Sequence, residues 1–141
     1  MLTKEEIHTV QSDWKGVTPI AGTAATLFYD RLFELDPTVR GLFKPDLSEQ
    51  KKKLMQMIGA AVKGLDDLPS LIPVVQALGR RHVEYGVKTG HYATVGSALL
   101  WTLKKGLGAS FDAAHEAAWS KVYGILARTM QDAAHGPNAG P

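Results

Sequence analysis

The chain has 141 residues, long enough for one domain with a continuous core and short for two. Hydrophobic residues make up 45% and charged residues 21%, which rules out a disordered chain, and 16 Lys and Arg against 14 Asp and Glu leave a formal charge of +2 that gives no case for nucleic acid or an anionic membrane. The absence of cysteine removes disulfides, thiolate-bound zinc, iron–sulfur clusters and thiol nucleophiles together.

The opening stretch MLTKEEIHTVQSDWK holds no apolar core of signal-peptide length, and no segment approaches the ~20 apolar residues of a membrane span, so the expected compartment is the cytoplasm. Thr3 and Glu6 form a capping-box pattern, and Ile7, Val10, Trp14 and Val17 follow at helical steps. The spacing predicts a break at Gly16 and a restart at Thr18-Pro19, with Thr as cap and Pro at the first helical position. This second helix runs to about Leu35, with apolar residues on more than one face. Asp36-Pro37 caps a short helical piece ending near Leu42-Phe43. Asp46 and Glu49 repeat the cap pattern before Leu47, Gln50, Leu54, Met57, Ile58, Ala61 and Leu65.

Gly64 ends that helix and Ser70 starts the next, in which Leu71, Val75, Leu78 and His82 share a face. Gly86 is a candidate C-terminal cap, and two longer helices are expected at about His91–Lys105 and Asp112–Ala134. Residues 1–135 are expected to form one domain, and 136–141, rich in Gly and Pro, a disordered tail. Without strand-type alternation the fold class is all-α, with about seven helices. Gly or Pro at nearly every junction favours a helical sandwich around a pocket over an up-and-down bundle.

Three polar residues interrupt these apolar stripes: Tyr29, Gln50 and His82. Taken singly, each has an ordinary explanation. A packed, hydrogen-bonded histidine is commoner at such a position than a metal ligand, and a buried amide or phenol usually bonds to backbone. Taken together on three helices, they suit a pocket with one metal ligand on one side. His8, His91, His115 and His135 show no zinc spacing, and no phosphate-binding glycine loop, nucleophile elbow or carboxylate pair is present.

Several spaced motifs agree in order over Ile7 to about Met130. LFYDRLFELDPTVRGLF carries Pro37 and, six residues later, Phe43; LGRRHVEYGV surrounds His82; HYATVGSALL and AAWSKVYGILARTM follow. In these motifs the chain resembles the globin family, and in particular bacterial single-domain globins related to neuroglobin. The resemblance implies a three-over-three sandwich around haem b (iron protoporphyrin IX), with His82 as the iron ligand and Phe43 packed on the haem. Phe28, Leu54, Ile58, Leu78, Val87, Tyr92 and Val95 are implied haem contacts, supported by Trp119 and Tyr123. Lys53, Arg81 and His91 are candidates for its propionates.

Where vertebrate oxygen carriers usually hold a histidine, seven residues after Phe43, this chain has Gln50. With Tyr29 it forms a ligand-facing pair familiar from bacterial globins, which implies an iron with one open position. The implied function is reversible binding of oxygen, and of nitric oxide and carbon monoxide. The alternative is nitric oxide dioxygenation with a separate reductase, since the chain has no flavin or nicotinamide domain. A peroxidase-like activity is disfavoured by the lack of a histidine–arginine pair facing the ligand.

Overall fold

The computed structural model describes residues 2–135; the expected tail lies outside them. Among the described residues the chain forms six α-helices: α1 (Lys4–Val17), α2 (Ala21–Leu35), α3 (Ser48–Lys63), α4 (Leu68–Glu84), α5 (Thr89–Leu107) and α6 (Ala113–His135). Four of the five connections contain a 3-10 turn, and the segment Pro37–Leu42 is the short helical piece expected after Asp36. No strand occurs among these residues, and no helix is long and apolar enough to cross a membrane.

The capping box forms as expected: Glu6 N–H donates to Thr3 Oγ1 at 3.1 Å and Thr3 N–H to Glu6 Oε1 at 2.8 Å. Three other terminus assignments need correction. Gly16 does not break α1, which continues to Val17, and Thr18 ends α1 rather than capping the next helix, its hydroxyl donating back to the Lys15 carbonyl at 3.0 Å. One glycine costs a helix only about 1 kcal/mol, less than the packing of Val17 in the core returns. Asp46 spends its carboxylate on the Ser48 N–H and hydroxyl, so α3 starts from Leu47 with no side-chain cap. The fourth helix begins at Leu68 with Pro69 in its first turn, and the Ser70 hydroxyl donates to Asp67. Helix α6 runs through His135, the last residue of the expected 1–135 domain.

The helices stack in two layers, α1, α3 and α4 over α2, α5 and α6, with α2 running along α5 and α4 along α6. Buried Val10, Phe28, Leu32, Leu103 and Trp119 lie in one core. At the α1–α6 contact the buried Asp13 carboxylate lies 2.8–2.9 Å from His115 Nδ1 and accepts from Trp119 Nε1 at 3.0 Å. His115 is thus engaged by a residue 102 positions away. Asp13 also gives Trp119 a structural post between α1 and α6, where its ring lies 6.3 Å from Trp14.

Helices α4 and α6 cross at Gly79. A Cβ there would run into the Met130 carbonyl oxygen and stand 2.6 Å from Met130 Cα, so only glycine allows this approach. Helices α3 and α4, by contrast, scarcely touch. That gap positions the site.

Candidate functional site

On the α2–α3 side of the gap, helix spacing places Phe28, Tyr29 and Phe33 around one turn of α2. Phe28 meets Tyr29 edge-on at 5.0 Å, and Phe43 meets Tyr29 edge-on at 5.5 Å and Phe33 at 5.8 Å. Phe43 reaches this cluster because Arg40 braces the loop before α3. Its guanidinium donates to the Lys44 and Pro45 carbonyls at 3.1 and 3.0 Å and lies over the Phe33 ring. Sequence reasoning missed Arg40, whose only signal was a cation among loop residues.

Tyr29 is 2% exposed. Burial pushes its phenol above the usual tyrosine range, and the Gln50 amide, acting on it from α3, draws it part of the way back. A phenol can both donate and accept and an amide carries two donors and an acceptor, so the pair has capacity for a third polar group. Leu54 and Ile58, one and two turns beyond Gln50, join Phe28 and Leu99 around a small apolar void of about 10 Å³.

On the α4–α5 side, His82 is half-buried on the inner stripe of α4. Its Nδ1 lies 2.7 Å from the Leu78 carbonyl oxygen, and because a carbonyl only accepts, Nδ1 carries the proton and Nε2 is the nitrogen left with a lone pair. The end of α4 is fixed just beyond it. Gly86, at φ 89°, turns the chain so that Val87 N–H donates to the His82 carbonyl at 2.9 Å and Gly86 N–H to that of Val83 at 3.0 Å. The Tyr92 ring lies 6.3 Å from the imidazole, and Tyr123 Oη donates to the Tyr92 carbonyl at 2.6 Å. Val87 and Val95 are half-buried, while Lys53 and Arg81 are exposed. His91 is engaged locally: its Nδ1 accepts from Lys88 N–H at 2.9 Å and caps α5.

A family model described as Globin matches residues 26–130. The chain belongs to the globin family. This globin is 33% identical to neuroglobin from Chaenocephalus aceratus, over 92% of this chain and 90% of that protein, and equally to neuroglobin from Dissostichus mawsoni. Among solved structures it superposes on a bacterial globin from Campylobacter jejuni with a TM-score of 0.82 and 30% identity, covering 94% and 96% of the two chains. It also shares the fold of an engineered carbene transferase provisionally described as a nitric oxide dioxygenase from Rhodothermus marinus, at a TM-score of 0.84 and 22% identity, covering 95% and 94%.

Globins bind haem, and three features of this structure fit that group. Helices α3 and α4 scarcely touch, so their half-buried apolar faces are not packed on one another. Among the described residues no three His, Asp or Glu side chains gather to hold a metal, so a lone imidazole suits an iron whose other ligands come from a macrocycle. A buried phenol with an amide acting on it stands in an aromatic wall between α2 and α3.

Burial raises the phenols of Tyr29, Tyr92 and Tyr123, and for Tyr123 the neighbouring Tyr92 adds to the effect. The native state therefore holds these protons more tightly than the unfolded chain. Stability is intact below the unfolded value of about pH 10 and falls as pH climbs beyond it toward the raised native values. In a pH titration of the apoprotein, phenolate absorbance from these residues should appear together with loss of helical circular dichroism. Full ionisation of all three with the helices intact would contradict the assignment.

Proposed function

We propose that this globin binds oxygen, nitric oxide and carbon monoxide reversibly on haem b, with His82 as the iron ligand and Tyr29 and Gln50 as donors to the gas. Residues 1–135 act as one globin domain, and the cytoplasm is its proposed compartment. When bound, the haem supplies a ferrous iron with one coordination position open to a diatomic gas.

His82 would hold the iron through Nε2, while the Leu78 carbonyl and the fixed end of α4 restrain the ring. Tyr29 O–H and the Gln50 amide are already in place in an apolar wall, so they stabilise charge on a ligand without reorganising. A gas that becomes polar on binding gains from both; one that stays apolar gains little. Phe28, Phe43, Leu54 and Ile58 keep water from the pair, and Tyr92, Val95 and Val87 line the opposite wall. Lys53 and Arg81, both exposed, would supply cations to the propionates.

The observation that carries this reading is the Tyr29–Gln50 pair, a buried phenol in an aromatic cluster with an amide acting on it from α3. The His82 assignment has its own test. His82→Ala should abolish stable haem uptake or leave uptake dependent on added imidazole, read from the Soret band after haem titration. Normal uptake without imidazole would remove His82 from the role.

Nitric oxide dioxygenation with a separate reductase is the second reading, supported by the description of the Rhodothermus marinus neighbour. Repeated turnover to nitrate with an electron donor would favour it. A long-lived oxygen spectrum with slow autoxidation favours carriage or storage.

A further inference from the structure

Away from the α3–α4 gap, the start of α5 and the C-terminal half of α6 border an open groove of about 430 Å³, a volume within the range of small-molecule sites. Tyr92, Ala93, Tyr123 and Ala127 give it apolar surface, and Arg128 and Asp132 are its only charged residues among those described. Gly124 keeps it open, since nothing lies within 4 Å of its Cβ position. Tyr92 belongs both to this groove and to the surroundings of His82, with its ring 6.3 Å from the imidazole.

Arg128 and Asp132 are both exposed, and neither enters an ion pair within 4 Å among the described residues. Helical pairs four residues apart close best when the acid comes first; here the base comes first, the weaker order. A cation and an anion are therefore left side by side, one turn and roughly 6 Å apart along the helix axis. That spacing suits a small molecule that itself carries one charge of each sign on neighbouring atoms.

We infer that this groove binds a free α-amino acid with an apolar side chain. The carboxylate meets the Arg128 guanidinium and the ammonium meets Asp132, while the side chain lies on Ala93, Ala127 and the tyrosine rings. A molecule with a carboxylate alone would answer Arg128 and be repelled by Asp132, and an amine alone would meet the converse. In so open a groove these contributions are modest, and a dissociation constant of about 1 mM is expected.

The test titrates the isotopically labelled full-length protein, with and without haem, with L-phenylalanine and follows the backbone amides by NMR. The amides of Ala93, Gly124, Ala127 and Gln131 should shift together and saturate. 3-Phenylpropionate and phenethylamine, each lacking one of the two charges, should bind about fivefold more weakly or worse. Arg128→Gln should weaken L-phenylalanine about fivefold and strengthen phenethylamine, and Asp132→Asn should weaken L-phenylalanine equally and strengthen 3-phenylpropionate. Gly124→Leu, which places a side chain in the open space of the groove, should abolish binding, while Lys63→Gln, exposed at the end of α3, should leave it unaltered. Equal binding of the three probes, unchanged binding in Gly124→Leu, or no saturable shift at these amides would overturn the site. Shifts of the same amides on dilution, with a mass that grows with protein concentration, would give the groove to a second copy of the chain and overturn it too.

Discussion

Gly79→Ala is expected to destabilise the apoprotein by about 3 kcal/mol or more, lowering its thermal midpoint by roughly 10 °C. The added methyl would meet backbone, the carbonyl and Cα of Met130, rather than a side chain that can swing aside. Relief requires α4 and α6 to separate, and α4 carries His82 one turn later, so haem affinity should fall with stability. Gly124→Ala on α6 is the matched control: nothing lies within 4 Å of its Cβ position, and replacing a helical glycine there should stabilise by up to about 1 kcal/mol. Equal midpoints for the two variants would show that the crossing at Gly79 tolerates a side chain.

Tyr29→Phe should raise the oxygen dissociation rate by about 10- to 150-fold while altering carbon monoxide release little. That range corresponds to roughly 1.5–3 kcal/mol for a hydrogen bond to a charged acceptor. The substitution keeps the ring and its edge contacts with Phe28 and Phe43, so the pocket wall should survive and only the donor is lost. Stopped-flow ligand replacement reads both rates. Gln50→Leu should act in the same direction, and the double variant should fall short of the product of the single effects, because each partner holds the other near the ligand. Unchanged oxygen kinetics in Tyr29→Phe would exclude the phenol from ligand binding.

Much of the fold was legible because helix periodicity and local capping are near-neighbour effects. Thr3 with Glu6, Asp36 before Pro37, and Gly86 after α4 each act within a few residues, and each was read correctly. The misread termini share a cause: Thr18, Asp46 and Ser70 all have hydroxyl or carboxylate groups with two local partners to choose from, and sequence does not say which one wins. The hydrogen bond from His82 to Leu78 is of the same near-neighbour kind, joining residues one turn apart on one helix.

Long-range pairings were not legible. Asp13 with His115 and Gly79 with Met130 join distant residues, and nothing near either partner announces the other. His82 itself looked like an ordinary core histidine on spacing alone. The motifs around it suggested another role, and the geometry adds a ring with one nitrogen committed and one left over.

The gap between α3 and α4 has a thermodynamic corollary. Helix α3 packs chiefly against α1 and α2 and α4 chiefly against α6, so a cofactor bound between them as proposed would bury surface that the two helices do not bury on one another. Cofactor capture and the last step of folding are then linked equilibria, and every tenfold excess of free haem over its dissociation constant adds about 1.4 kcal/mol to the folded state. The amount of this globin that survives in a cell should accordingly follow the haem supply as closely as the rate at which the chain is made.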